Sequence, residues 1–279
     1  MKEPTGAAQR GRRRTWALVA GALVLAVATA ASVQWLRRHA RPETGKPPDY
    51  ARAAGEFRKT AQEGDPAAQY NLAVLYAAGK GVPKDQAEAI RWYRKAADQG
   101  HALAQCNLGA TYAAGQGVPK DERAAAAWYR KAADQGASLA QFNLGTLYEQ
   151  GQGVAQGYEQ AAVWYRKAAD QGDADAQYRL GALYAQGKGV ARDAAAAMAW
   201  CRKAAEQGLA AAQYNLGIAY VQGLGVPKDP VQAHLWLSLA AANGSDAAAR
   251  IRDGVATKMS PEQLEAALRL GRAWKPHSD

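Results

Sequence analysis

The apolar positions of residues 65–100 fall into two stripes with helical spacing, separated by a glycine-rich break at 79–82. The first stripe consists of Ala68, Leu72, Leu75 and Tyr76. The second consists of Ala89, Trp92, Tyr93 and Ala96. Apolar residues recurring every three or four positions indicate one buried face of an α-helix. The segment therefore predicts a hairpin of two helices, named helix A and helix B here.

Start and stop signals lie at the ends of both predicted helices. Asp65 and Asp85 can each accept a hydrogen bond from the first turn of the helix that follows, as aspartate does at N-caps. Glycines at 79 and 81 break helix A, and Gly100 ends helix B, because glycine adopts a positive φ without steric cost.

The same pattern returns every 36 residues along the chain. The helix B tryptophans are Trp92, Trp128, Trp164, Trp200 and Trp236, and the helix A leucines are Leu72, Leu108, Leu144, Leu180 and Leu216. A fixed period of this length is typical of repeat proteins, in which each unit buries its apolar stripe only against its neighbours. We expect an all-α stack of five hairpins over 65–244.

Both ends of the repeat region have candidate caps. Residues 50–64 align with the end of a helix B and predict a half-repeat at the N-terminal end. Residues 245–279 predict C-terminal capping helices and a tail, because Ser260-Pro261 is typical of a helix start. In that helix, Leu264, Leu268 and Trp274 form the apolar face expected to cover the last hairpin.

The pattern A-x-x-x-L-G-x-x-Y-x-x-G-x-G-V, followed by Asp and by W-Y-x-K-A-A-x-Q-G, resembles the Sel-1-like repeat, a relative of the tetratricopeptide repeat. The resemblance extends over about residues 65–243. It implies a right-handed superhelical solenoid of antiparallel helix pairs, which serves as a scaffold that holds other proteins in complexes.

The N-terminal region predicts a membrane segment. A basic tail (1–14) precedes an uncharged stretch (15–36) long enough to span a bilayer, and a proline-containing linker (37–49) follows. The arginine triplet before the stretch favours a cytoplasmic N-terminus, so we expect a single-pass inner-membrane protein with periplasmic repeats. Alternatively, cleavage near Ala30 would give a secreted or periplasmic protein.

The charge distribution does not favour a nucleic-acid partner. The formal net charge is +10, but residues 1–50 carry nine Lys/Arg and three Asp/Glu, which leaves only +4 for the other 229 residues. The two cysteines, Cys106 and Cys201, lie more than two repeats apart, too far for a disulfide in a stacked array.

No catalytic, metal-binding or cofactor-binding set emerges from the sequence. The four histidines lack metal-ligand spacing, and the CxxC and HExxH signatures are absent. Some relatives carry a disulfide in each repeat and have been linked to β-lactam binding, a pattern from which two isolated cysteines depart. We therefore expect that the protein is not an enzyme. Of the three functions considered, namely a protein-binding scaffold, an accessory protein of envelope glycan metabolism and a hydrolase, the hydrolase is the least favoured.

The candidate binding residues lie on the side of helix A opposite the buried stripe. The aromatic column is Tyr70, Cys106, Phe142, Tyr178 and Tyr214; the amide column is Asn71, Asn107, Asn143, Arg179 and Asn215. Aromatic surface beside amide groups suits an extended peptide or protein segment in the concave groove of a tetratricopeptide-like array. Two alternatives stay open: the columns pack between hairpins, or they contact glycan in an accessory protein of envelope polysaccharide or peptidoglycan metabolism.

Overall fold

The computed structural model of the protein describes residues 49–276. Over this range it contains 13 α-helices and no strand, which confirms the predicted all-α fold of antiparallel helix pairs. The first seven are α1 (Tyr50–Gln62), α2 (Pro66–Ala78), α3 (Gln86–Asp98), α4 (Ala102–Ala114), α5 (Glu122–Asp134), α6 (Ser138–Gln150) and α7 (Tyr158–Asp170). The remaining six are α8 (Ala174–Gln186), α9 (Ala194–Glu206), α10 (Ala210–Gln222), α11 (Pro230–Ala242), α12 (Asp246–Ala256) and α13 (Pro261–Ala273).

The helices form two compact units. The first comprises the described residues up to Ala140 together with Gln152–Val154, and the second comprises Gln141–Gly151 with the residues from Ala155 onward.

The predicted membrane segment (15–36) lies outside the described residues. Between 49 and 276, no helix combines the length and the apolar character that crossing a membrane requires.

Aspartate side chains cap most of the hairpin helices, as the sequence predicts. Asp65 Oδ1 accepts hydrogen bonds from the amides of Ala67 (2.7 Å) and Ala68 (3.1 Å) at the start of α2. The helices B begin with equivalent bonds to Asp85, Asp121, Asp193 and Asp229. Among the helices B, the exception is α7, whose N-cap Gly157 has no side chain to accept such a bond.

The core of each hairpin is the helix A leucine, packed beside the helix B stripe. The five repeat leucines, Leu72, Leu108, Leu144, Leu180 and Leu216, are at most 1% exposed. Trp92 and Tyr93 are each 5% exposed, so the predicted helix B stripe is buried too. Burial of a leucine or aromatic side chain contributes roughly 1.5–3 kcal/mol, so these positions account for much of the stability.

The residue after each leucine is small because the two helices of a hairpin touch there. In the first unit, a Cβ added to Gly109 would lie 2.6 Å from Cδ1 of Tyr129. In the second, one added to Gly145 would lie 2.8 Å from Cδ1 of Tyr165. Glycine costs about 1 kcal/mol inside a helix, and close packing of an aromatic ring offsets that cost.

A buried glutamine connects three helices, which the sequence analysis did not predict. In the first unit, Nε2 of Gln69 donates to the Ala61 carbonyl at 3.1 Å, and its Oε1 accepts from Nε2 of Gln99 at 2.8 Å. Gln69 lies on α2. Its partner Ala61 lies on the preceding α1, and its partner Gln99 directly follows α3. In the second unit, Gln177 bonds in the same way to Ala169 (3.2 Å) and Gln207 (3.0 Å).

The basic side chains of helix B also contribute to packing. Nζ of Lys95 lies 4.4 Å from the ring centroid of Trp92, a cation–π contact that recurs in later hairpins. The helix B arginines each donate to a tyrosine hydroxyl 18 residues later: Arg58 to Tyr76, Arg94 to Tyr112, Arg166 to Tyr184 and Arg202 to Tyr220.

The C-terminal helices pack on the last hairpin, with one difference from the prediction. Both α12 and α13 contact α11, and Ser260 caps α13 in a capping box with Gln263. Ala267 is 1% exposed, whereas Leu268 is 47% exposed, so the placement of Leu268 on the covering face is wrong. The buried face follows positions 264, 267 and 271, and Leu268 is turned away from Ala267 by the 100° step of the helix.

The second glycine of each loop lies against the start of a preceding helix B. A Cβ on Gly153 (φ 69°) would lie 2.0 Å from the Glu122 carbonyl oxygen, whereas one on Gly136 (φ 89°) would meet no atom within 4 Å. We expect Gly153→Ala to lower the free energy of unfolding by about 2–4 kcal/mol, because it adds a backbone clash to the left-handed strain.

The matched control is Gly136→Ala, which carries the strain without the clash and should cost about 1 kcal/mol. Urea denaturation of both variants measures the difference. Equal losses in the free energy of unfolding for the two variants would contradict a packing role for Gly153.

The missing cap at Gly157 gives a second prediction. Gly157→Asp should raise the free energy of unfolding by about 0.5–1 kcal/mol, because the carboxylate can accept an amide hydrogen bond and favours the positive end of the helix dipole. The backbone there is extended (φ −156°), and an added Cβ would lie 2.2 Å from Oε1 of Gln160, the end of a flexible side chain that can turn away. Hydrogen exchange should show increased protection in the first turn of α7, and an equal gain in Gly157→Ala would refute the capping explanation.

Candidate functional site

In the first unit, the predicted binding residues are mostly buried. Tyr70 is 5% exposed; its ring stacks on His101 with centroids 4.8 Å apart and lies 5.8 Å from that of Tyr93. Cys106 is 1% exposed, and Asn107 is 8% exposed. Asn71 is half-buried. In this unit the aromatic column therefore lies among other side chains.

The stacking on Tyr70 depends on an unusual cap. Nδ1 of His101 accepts a hydrogen bond from the Ala104 amide at 3.3 Å, as the N-cap of α4. Burial lowers the pKa of His101, and Asp65 acts in the opposite direction. The neutral imidazole can thus both cap the helix and cover the Tyr70 ring.

In the second unit, the aromatic column is partly exposed. Phe142, Tyr178 and Tyr214 are all half-buried. The Phe142 ring lies 5.7 Å from that of Tyr165, and the Tyr178 hydroxyl accepts a hydrogen bond from Nδ2 of Asn215 at 3.0 Å. This unit therefore brings together one aromatic and one amide position from neighbouring hairpins, on a surface that solvent can reach.

Charged side chains surround Tyr165 in the same unit. The Tyr165 hydroxyl donates to Oε2 of Glu149 at 2.6 Å and lies 3.1 Å from Oγ1 of Thr146. Burial raises the pKa of Tyr165, Glu149 raises it further, and Arg179 acts in the opposite direction. Asp175 is exposed; partial desolvation raises the pKa of its carboxyl group, again opposed by Arg179. The structure thus places Arg179 in a group with Glu149, Tyr165 and Asp175.

The sequence analysis missed Glu149 and Asp175, although the repeat contains a signal for both. The positions equivalent to Glu149 are Ala77, Ala113, Ala185 and Val221. The positions equivalent to Asp175 are Ala67, Leu103, Leu139 and Ala211. A charge at a position that is apolar in every other hairpin is a departure that a search restricted to recurring residues does not detect.

The described residues hold no arrangement suited to metal binding or nucleophilic catalysis. Between 49 and 276, no group of three or more His, Cys, Asp or Glu side chains could hold a metal ion. Cys106 and Cys201 are free and buried, and burial raises the pKa of each thiol to about 12. Both therefore stay protonated at neutral pH, and a protonated thiol is a poor nucleophile.

One serine–histidine pair occurs on α11. Oγ of Ser238 lies 3.4 Å from Nδ1 of His234, but it donates a shorter hydrogen bond, 2.7 Å, to the His234 carbonyl. The hydroxyl proton therefore points to the backbone one turn earlier. This is the usual local bond of a helical serine rather than an activated nucleophile.

The fold is similar to solved Sel1 repeat structures. The Sel1 repeat protein of Oxalobacter formigenes is 35% identical, with a TM-score of 0.70 over 81% of this chain and 95% of that one. The protective antigen c5321 of uropathogenic Escherichia coli, which has the SLR fold, is 34% identical, with a TM-score of 0.54 over 90% of this chain. The match spans only 60% of the c5321 chain.

An immunity protein is also similar. Pseudomonas aeruginosa PA5088 is 26% identical, with a TM-score of 0.50 over 78% of this chain and 82% of that one. No curated protein matches the sequence significantly.

The Sel1 repeat itself matches five times, at residues 66–101, 102–136, 138–173, 174–209 and 210–245. These matches follow the five hairpins and cover more than half of the chain. The protein therefore belongs to the Sel1 repeat family.

Proposed function

We propose that the protein is a non-catalytic scaffold that binds an extended segment of another protein on the exposed helix A surface of its second unit. Sel1 repeat proteins are generally non-catalytic scaffolds for protein interaction, and PA5088, a similar structure, is an immunity protein. The observation that carries the proposal is the half-exposed set Phe142, Tyr178 and Tyr214, with Asn215 bonded to Tyr178.

The chemistry of this surface suits a peptide backbone. Aromatic rings offer apolar area for side chains, and asparagine can both donate to and accept from a peptide group. The five helices A, α2, α4, α6, α8 and α10, contain only three charged residues, Glu149, Asp175 and Arg179. Most of the surface therefore neither repels nor attracts charge, and binding there would depend on apolar contact and backbone hydrogen bonds.

The proposal includes a membrane tether through residues 15–36, with the repeats outside the cytoplasm. Its support is the uncharged length of that segment and the arginine triplet at 12–14.

Alkaline phosphatase fused to the C-terminus should be active in cells, because the enzyme needs an oxidising compartment for its disulfides. A cytoplasmic reporter fused at the same position is the control. Activity of that reporter alone would contradict the proposed orientation.

Site-specific photo-crosslinking in cells tests the binding surface. A benzophenone amino acid in place of Tyr178 keeps an aromatic ring at the candidate site. The same residue in place of Val163, which is 54% exposed on α7, is the control on a helix B surface. We expect a discrete protein adduct from position 178 and none from 163. Equal labelling from both positions, or none from 178, would overturn the proposal.

A further inference from the structure

We propose that Arg179 on α8 is a specificity-determining residue that pairs with an acidic side chain within the bound segment. This inference rests on the proposed function, because it names the partner chemistry of the same surface.

Arg179 differs from the repeat arginines in having no acceptor. In this unit, Arg166 donates to the hydroxyl of Tyr184 and Arg202 to that of Tyr220. Arg179 is half-buried, yet among the described residues no hydrogen bond or ion pair involves its guanidinium. A group with five N–H donors therefore lies at the surface without an acceptor from the described residues.

The register of the repeat explains why the acceptor is missing. Asn215, the equivalent residue in the next hairpin, donates to the hydroxyl of Tyr178, 37 residues earlier. The residue at the same offset from Arg179 is Phe142, whose ring has no hydroxyl. The combination of a strong donor at 179 with a ring lacking an acceptor at 142 leaves the donor available to a partner.

The guanidinium determines which charge the partner should carry, because neither neighbouring acid forms an ion pair with it. Glu149 already accepts the hydroxyl proton of Tyr165 at 2.6 Å, so part of its hydrogen-bonding capacity is used. Asp175 precedes Arg179 by one helical turn, a spacing at which it can compete for the guanidinium, although the two form no ion pair within 4 Å. A guanidinium binds a carboxylate through two parallel hydrogen bonds, which favours an acidic partner residue over a polar uncharged one.

The occupant is thus an extended, mostly uncharged segment with one internal Glu or Asp. Its apolar side chains would contact the partly exposed rings of Tyr178 and Tyr214, and its carboxylate would reach Arg179. Asp175 then acts as an intramolecular competitor for the guanidinium, and its removal should strengthen binding of an acidic segment.

Peptide pools test the inference with the full chain in mild detergent. Each pool is randomised over uncharged residues, blocked at both termini, and has Glu, Gln or Lys fixed at its centre. We expect the wild-type protein to retain the Glu pool about tenfold better than the Gln pool, as charge-assisted hydrogen bonds are stronger than neutral ones. Arg179→Gln should bring that ratio close to one, whereas Asp175→Asn should raise it.

The control is Arg192→Gln, which makes the same charge change at an exposed position of the same hairpin and should leave the ratio unchanged. Continued binding of the Gln pool to Arg179→Gln would show that the variant is folded. Equal retention of the Glu and Gln pools by wild type would overturn the role of Arg179 while leaving the proposed function intact. A Lys-pool preference that Asp175→Asn abolishes would overturn it too. If no pool binds, the proposed function and this inference fail together.

Discussion

The buried glutamine of helix A is the interaction on which the stacking of the hairpins depends. Gln69 has its amide group in the interior, where an unsatisfied polar group costs about 1–3 kcal/mol. Its donor is satisfied by the preceding helix B, through Ala61, and its acceptor by the end of its own hairpin, through Gln99. This hairpin is therefore fully bonded only when the preceding helix B is in place and in the correct register.

The small residues have the complementary role of permitting close approach. Gly109 allows the Tyr129 ring to lie against α4, and Gly153 allows its loop to touch the backbone at Glu122. Neither contact would form with a Cβ present, because the added atom would lie at 2.6 Å or 2.0 Å from the neighbouring atom. Amide bonds between helices and glycines at the contacts together fix the spacing at which each helix A displays its outer side.

The residues that pack the hairpins together differ from those available to recognise a partner. The residues that recur in most hairpins, such as the leucines, the helix B tryptophans and the arginine–tyrosine pairs, are used in packing. Recognition of a partner must then come from positions that differ between hairpins. Arg179, Asp175 and Glu149 are such positions in the second unit: Glu149 and Arg179 lie near Tyr165, and Asp175 lies near Arg179. A mostly uncharged surface provides general affinity for an extended segment, and Arg179, the one basic residue on it, provides a point of discrimination.

The sequence by itself determined the hairpins, their period and their ends, because these depend on local signals: helical spacing, aspartate caps and glycine stops within a few residues of each other. It did not reveal the role of Gln69, whose partners lie eight residues before it and 30 after it.

Only the tertiary structure decided which members of the aromatic column are exposed. Tyr70 and Tyr214 occupy the same place in the repeat, but His101 covers Tyr70, whereas the residue equivalent to His101 beside Tyr214 is the much smaller Ser245. The sequence already sets Arg179 apart from the asparagines of its column, but only the register in which Asn215 donates to Tyr178 shows that the equivalent position for Arg179 is Phe142, which offers no acceptor. The physical reason is that exposure and hydrogen bonding at one position depend on side chains more than 30 residues away, and packing alone brings these into contact.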